Sequence, residues 1–387
     1  MTDAFEEYAK NATQPGSALP EAKEGGHPNP GSRDGHSRRS LLTAIGRLSL
    51  AGAVVQAVSS SALASPAVAK AASGEAGEKA FEATADKVID ALEGAYGVNP
   101  GKRRNHTKGF GALGSFVGSS VAAAYSRSPL FSGQEIQVVA RFSVAGGDPA
   151  ASDAERSARG IGLEFRLPGG DLHHITMLHT PMFFATMPKT FLDKFMALKP
   201  DAATGKPDPA KIGVFLKSHP DNAAQFHFVQ VNNPPPSYAN CAFYGIHTFK
   251  FVNADNKVTM VRFRFVPRDG QKQLSDADLK SAPNDFLERA FNDRVGQGPV
   301  RWDMMVTIGQ PGDSEDDPTI LWPTDRKEFN AGTLTLASAM PDQTAGSYKI
   351  NFDPLMMADG IEPTNDPILL FRSPSYAVSH TRRLRNL

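Results

Sequence analysis

The chain has 387 residues, 40% of them hydrophobic and 21% charged, a composition that suits a globular protein with a large core. Its 41 Lys and Arg balance 41 Asp and Glu, which argues against a protein built on a basic footprint for nucleic acid, the basic end HTRRLRNL being a local exception. One cysteine, Cys241, excludes an internal disulfide and an all-cysteine zinc site, and is expected to be a small buried apolar residue.

Residues 1–36 are rich in Gly, Pro, Asn, Asp and Glu without apolar periodicity, and are expected to be disordered. From Ser37 the sequence reads SRRSLLTAIGRLSLAGAVVQAVSSSALASPAVAKA. Arg38 and Arg39 precede a weakly apolar stretch, Leu41 to Leu63, followed by small-residue cleavage patterns at Ala62-Leu63-Ala64 and Ala67-Val68-Ala69. This pattern is similar to a twin-arginine export signal, whose route carries folded proteins and so allows a cofactor to be inserted first. Arg47, Ser49 and Gln56 interrupt the stretch, so no stable membrane anchor is expected. The expectation is a removed N-terminal region over residues 1–69 and a single soluble domain over residues 70–387, periplasmic or secreted.

Between Gly74 and Asn99, Phe81, Val88, Ile89, Leu92 and Tyr96 recur near helical spacing, and Gly97 and Pro100 end the pattern. Strand character follows over Ser115–Ala124, Ile136–Ser143, Gly160–Leu167 and Leu172–Met177. Residues 188–219 read as helices and loops. Ala242–Asn253 and Lys257–Pro267 read as strands joined in a hairpin through ADN, Asp276–Gln297 as a charged helical stretch, and Val300–Gln310 as strand. The fold class this implies is α+β, a mainly antiparallel sheet or barrel with helices outside it.

The C-terminal segment DPILLFRSPSYAVSHTRRLRNL carries the first chemistry. In a helix after Pro374, Tyr376, His380 and Arg383 share a face, and Arg372 lies at or just before its start, within reach of the phenol. A guanidinium beside a phenol is a physical means of holding it as phenolate, an anionic ligand for ferric haem iron. A second segment, KRRNHTKGFGALGSFVGSS, contains His106, a side chain able to take and return a proton, with Gly109, Gly111 and Gly114 allowing close backbone approach to a flat ligand. His173, His174, His227 and His247 lack the carboxylate or histidine spacing of a metal site and read as structural.

Together with VVARFSVAGG, ARGIGLEFRLPGGDLHHITMLHTPMFF and PPPSYANCAFYGIHTFKFVNADNKV, these segments form an ordered series from about Arg103 to Arg383 that resembles the haem catalase family, and within it the short bacterial catalase-related peroxidases. The resemblance implies a catalase-type antiparallel β-barrel with surrounding helices and a haem b beside the barrel. It implies His106 as distal acid-base, Ser143 orienting its ring, Tyr376 as proximal iron ligand and Arg372 as that tyrosine's partner. Arg103, Arg141 and Arg383 fall at the positions that hold the haem propionates, with Arg382 the alternative to Arg383. Phe183 and Phe184 fall where the substrate channel has its walls. The match departs at Leu178, where the family's true catalases carry an asparagine that contacts the peroxide, and in a chain that stops eleven residues beyond Tyr376. Both departures imply a peroxidase that favours organic hydroperoxides, with an external electron donor and only weak use of hydrogen peroxide. His179 either leans into the pocket or points away. A true catalase, a fatty-acid hydroperoxide isomerase and a non-catalytic haem carrier remain alternatives, and a homo-oligomer remains open.

Overall fold

The computed structural model describes residues 83–386, so the expected export signal and the start of the helix expected from Gly74 lie outside the described residues. The first described helix, α1 (Ala85–Tyr96), is capped by Thr84, whose hydroxyl accepts from the Lys87 N–H at 3.3 Å, and ends at Gly97 with φ 76°. It buries Val88, Ile89, Ala91 and Leu92, a single stripe.

The chain then runs through β1 (Gly109–Gly118), a short α2 (Ser120–Ala123), β2 (Glu135–Val144), β3 (Arg159–Arg166) and β4 (Leu172–Leu178). Three helices follow, α3 (Pro188–Ala197), α4 (Pro209–Ser218) and α5 (Ala223–Val231), and then β5 (Phe243–Tyr244), β6 (Phe249–Val252) and β7 (Val258–Pro267). The remainder is α6 (Asp276–Ser281), α7 (Phe286–Gly296), β8 (Val300–Ile308), β9 (Glu328–Met340), α8 (Asp342–Ala345), β10 (Ile361–Pro363) and α9 (Pro367–Leu384). Every strand pairing among the described residues is antiparallel. Strands β1, β2, β3, β4, β5, β7, β8 and β9 close into a ring through the β7–β8 and β1–β9 pairings, while β6 and β10 extend from β7. The result is an eight-stranded barrel with helices outside it, the α+β class expected.

Alternation along the strands decides which side chains reach the site. On β2, Ile136, Val138, Ala140, Phe142 and Val144 enter the barrel core, so Arg141 and Ser143 project from the outer face. On β3 and β4, Ile161, Leu163, Phe165, Ile175 and Met177 belong to the same core. Gly160, Gly162, Thr176 and Leu178 therefore join Arg141 and Ser143 outside. The interior is filled with aromatic rings: Phe142 lies 4.7 Å from Tyr238 and 4.8 Å from Phe291, and the Trp302 indole donates to the Cys241 carbonyl at 3.0 Å.

Several elements differ from expectation. The strand expected over Ser115–Ala124 begins earlier, at Gly109, and stops at Gly118, where the Ser119 hydroxyl accepts from the Ala122 N–H and starts a helical turn. The segment Ala242–Asn253 is two strands, broken at Gly245–Thr248 with Ile246 at φ 55°. The expected hairpin through residues 254–256 forms, with Val252 paired to Val258. The C-terminal helix starts at Pro367, with Asp366 as its cap, and runs through Pro374, so Arg372 lies inside it.

Candidate functional site

Helix α9, the loop before β1, and the outer faces of β2, β3 and β4 enclose a cavity with about 1280 Å3 of empty space, part of it open to solvent. Its lining brings together Arg103, His106, Arg141, Ser143, Phe183, Arg372, Tyr376 and Arg383, all but Phe184 of the residues to which the family resemblance gives a role at the haem or channel.

On one side His106 sits with φ 55°, a left-handed backbone that a non-glycine residue holds only when its surroundings fix it. Asn105 Oδ1 accepts its N–H at 2.9 Å, and Arg141 Nη1 donates to its carbonyl at 3.0 Å. The imidazole Nδ1 lies 3.0 Å from Ser143 Oγ, and that hydroxyl donates to the Gly160 carbonyl at 3.5 Å. The serine oxygen then accepts from Nδ1–H, which leaves Nε2 with its lone pair. Burial first, and then the charges of Arg141, Arg372 and Arg103, push His106 down to about 3, so the ring is neutral at neutral pH. A Cβ on Gly160 would lie 3.1 Å from both His106 Cε1 and Ser143 Oγ, which ties this close packing to glycine.

On the other side Arg372 Nη2 donates to Tyr376 Oη at 2.7 Å and to the Thr176 hydroxyl. Its Nη1 donates to His247 Nε2 at 3.0 Å. An arginine is always a donor, so Nε2 is the acceptor and the ring proton sits on Nδ1, where the Asp366 carboxylate accepts it at 2.6 Å. Asp366 also accepts from the N–H groups of Ile368 and Leu369 at the start of α9. His247, read from sequence as structural and without a carboxylate, is thus one link of a chain Asp366, His247, Arg372, Tyr376. Its partners lie 119 and 125 residues away, and no local spacing could have found them. His174 likewise has a carboxylate partner, Glu164, at 3.2 Å across the β3–β4 pair.

At the edge of the cavity three guanidinium groups gather. Arg103 donates to the carbonyls of Ser347 and Ile350, and Arg383 to that of Ile350. Arg141 pairs with Asp342 at 2.8 Å. Burial, with the charges of Arg141 and Arg383, holds Arg103 well below the ordinary arginine range. Arg383 is lowered to about 10 by burial and by Arg141, and its Nε is buried with no hydrogen-bond partner. Three cations facing one carboxylate leave two positive charges uncompensated in a buried site. Two carboxylates of a ligand would balance them, so the residues present fit haem and its two propionates.

Other expectations resolve differently. Arg382 turns away from the cavity and binds Asp86, Asp90 and Glu93 of α1. His179 points away too: its Nδ1 accepts from the Arg159 N–H at 3.0 Å. Phe183 lines the cavity, whereas Phe184 packs into a separate apolar cluster with Ile89, Phe195 and Ile212. Gly109, Gly111 and Gly114 do not face the cavity; their missing Cβ atoms make room for Arg141, Ala345 and the Thr335 backbone respectively. Gly160 and Gly162 do line the cavity, where their missing Cβ atoms make room for His106 with Ser143 and for the Phe352 ring. Leu178 lines the cavity as expected. No helix among the described residues is long and apolar enough to cross a membrane.

The catalase family model matches residues 71–386. A catalase-related peroxidase of Synechococcus elongatus is 52% identical over 304 residues, 79% of this chain and 90% of that protein. One of Mycolicibacterium paratuberculosis is 32% identical over 76% of this chain and 93% of its own length. A solved bacterial catalase superposes with a TM-score of 0.68 at 25% identity, over 74% of this chain and 58% of that one, so the chain spans well under two thirds of that catalase. The fold, the site and these likenesses define a haem-dependent oxidoreductase: the chain belongs to the haem catalase family. Within that family it falls in the catalase-related peroxidase branch, and it is a haem peroxidase of that type.

Proposed function

We propose that the chain reduces organic hydroperoxides, and hydrogen peroxide more weakly, using electrons from a small external donor, with haem b held between His106 and Tyr376. The observation that carries this reading is that the His106–Ser143 pair and the Arg372–Tyr376 pair line one cavity, beside three arginines that face a single carboxylate. The reaction converts ROOH, two electrons and two protons into ROH and water. Haem, when bound, would supply the redox chemistry that couples peroxide reduction to donor oxidation.

The side chains supply placement and proton transfer. Tyr376 would hold the iron through Oη, with the Arg372 hydrogen bond stabilising the anionic oxygen. Arg103, Arg141 and Arg383 would hold the propionates. His106 Nε2 takes the proton from the peroxide oxygen nearest it and returns it to the departing oxygen, while Ser143 keeps the ring turned. Leu178 and Phe183, with Val88, Ile89 and Leu92 of α1, also line the cavity and give it an apolar wall that suits an alkyl group better than a second polar contact.

The test compares purified wild-type protein with Leu178→Asn on hydrogen peroxide and on an alkyl hydroperoxide, with a dye as donor. Wild type should favour the alkyl hydroperoxide and evolve little oxygen, and Leu178→Asn should shift the ratio toward hydrogen peroxide. Rapid oxygen evolution by wild type would point to a true catalase. Rearranged product without donor would point to an isomerase, and haem binding without turnover to a carrier.

We also propose export by the twin-arginine route, supported by Arg38-Arg39 and the cleavage patterns that follow. Substituting both arginines by lysine should keep the protein in the cytoplasm, and unchanged periplasmic recovery would refute the assignment.

A further inference from the structure

We propose that Asn105 is a catalytic residue of this site: its side-chain N–H2 donates a hydrogen bond to the peroxide beside His106, supplying the polar contact that Leu178 cannot make. The inference rests on the peroxidase reading above.

Asn105 Oδ1 accepts two backbone N–H groups, His106 at 2.9 Å and Gly146 at 2.8 Å. Two donors on one atom identify it as the oxygen, so the other terminal atom is Nδ2, which carries two protons. No described residue accepts from it, although Asn105 lines the cavity next to His106. The Ser143 hydroxyl beside His106 is already engaged, with the imidazole and with the Gly160 carbonyl. Position 178 on the outer face of β4 presents a hydrocarbon. The Asn105 amide is therefore a fixed donor adjacent to the general base. Its oxygen is anchored on both sides of the loop, so donating to substrate costs little further ordering. A polar group preorganised in this way also explains how a cavity with Leu178 can still hold the oxygen end of a hydroperoxide while its apolar wall takes the alkyl end.

Asparagine 105 also anchors the left-handed backbone of His106, and the test must separate the two roles. Asn105→Asp keeps an oxygen for both N–H groups and removes the donor while adding a negative charge, for which the double variant with Leu178→Asn controls. Haem-loaded wild type, Asn105→Asp, Asn105→Ala and the double variant Asn105→Asp/Leu178→Asn are compared by haem content and unfolding midpoint. They are then titrated with cyanide, followed by the visible spectrum, and mixed with tert-butyl hydroperoxide in a stopped-flow spectrometer. Asn105→Asp should retain wild-type haem content and midpoint while its cyanide affinity and peroxide rate fall by about tenfold or more. The double variant should recover part of both, which a mere charge effect of the carboxylate would not allow. Wild-type cyanide affinity and rate in Asn105→Asp would overturn the proposal. So would losses in Asn105→Asp that track a lowered midpoint as in Asn105→Ala, since Asn105 would then be an anchor only. A wild-type protein that holds haem but shows no peroxide turnover would instead refute the peroxidase reading, and this inference with it.

Discussion

Replacing Asp366 by asparagine should damage the molecule far beyond the loss of one charge. Asp366 and His247 are buried to within 1% of full enclosure, and the carboxylate accepts both the His247 Nδ1–H and two backbone N–H groups at the start of α9. An asparagine can keep the helix cap only by leaving its oxygen there, which turns its N–H2 toward the His247 N–H. The ring cannot escape by moving its proton to Nε2, because Arg372 donates to that atom. The charge-assisted bond is worth about 1.5–3 kcal/mol and the two opposed donors cost about 1–3 kcal/mol more, so Asp366→Asn should lose about 3–5 kcal/mol. That is a large part of the stability of an ordinary domain. Urea unfolding of the apo form measures the loss, and the visible spectrum of the haem-loaded form reports whether the disturbance reaches Tyr376 through Arg372. The matched control is Asp359→Asn, which breaks an exposed pair with Arg127 and should leave both readouts unchanged. A wild-type midpoint and spectrum in Asp366→Asn would refute the reasoning.

The two neighbouring arginines of α9 should separate. Arg383→Met should retain haem at least tenfold more weakly, measured as transfer to an acceptor protein, while Arg382→Met should retain haem normally and lose stability through its ties to α1. Gly160→Ala should slow the reaction with peroxide at normal haem content, because its Cβ would crowd the His106 ring by a few tenths of an ångström. Burial holds His106, His173 and His179 at about 3 in the folded chain, whereas the unfolded chain protonates them near 6.5. Below that pH the unfolded state binds more protons, so apo stability should fall as pH drops from about 6.5 toward 3. The slope approaches about 1.4 kcal/mol per pH unit for the fully buried His173 and is smaller for His106 and His179, which are only partly buried. Equal urea midpoints at pH 7 and pH 5 would contradict this.

The barrel was legible where strands alternate cleanly. Ile136–Ser143, Gly160–Leu167 and Leu172–Met177 each lie within a residue or two of β2, β3 and β4, because one face of each meets the core. Strand β9 went unread although Thr333, Leu334, Thr335 and Leu336 alternate, since the Gly, Ala and Ser around them dilute the apolar signal. Pro374 suggested a helix start, but the stronger signal lay upstream, an Asp366 cap followed by Pro367. Inside α9, Pro374 forgoes only one backbone bond, and tertiary packing of Leu369 and Arg383 holds the helix on either side. The residues gathered in the cavity were legible as ordered motifs. Asp366, His247 and Asp342 were not, because each acts through a partner that only the folded chain brings near.

The most direct test of the central claim is to load wild type and Tyr376→Phe with haem b, record both visible spectra, and follow donor oxidation with an alkyl hydroperoxide. The expected result is a tyrosinate-ligated ferric haem with steady peroxidase turnover in wild type. Tyr376→Phe should lose the haem, or keep it with a changed spectrum and turnover reduced at least a hundredfold, on the order of 2.7 kcal/mol. An unchanged spectrum with full turnover in Tyr376→Phe would contradict it.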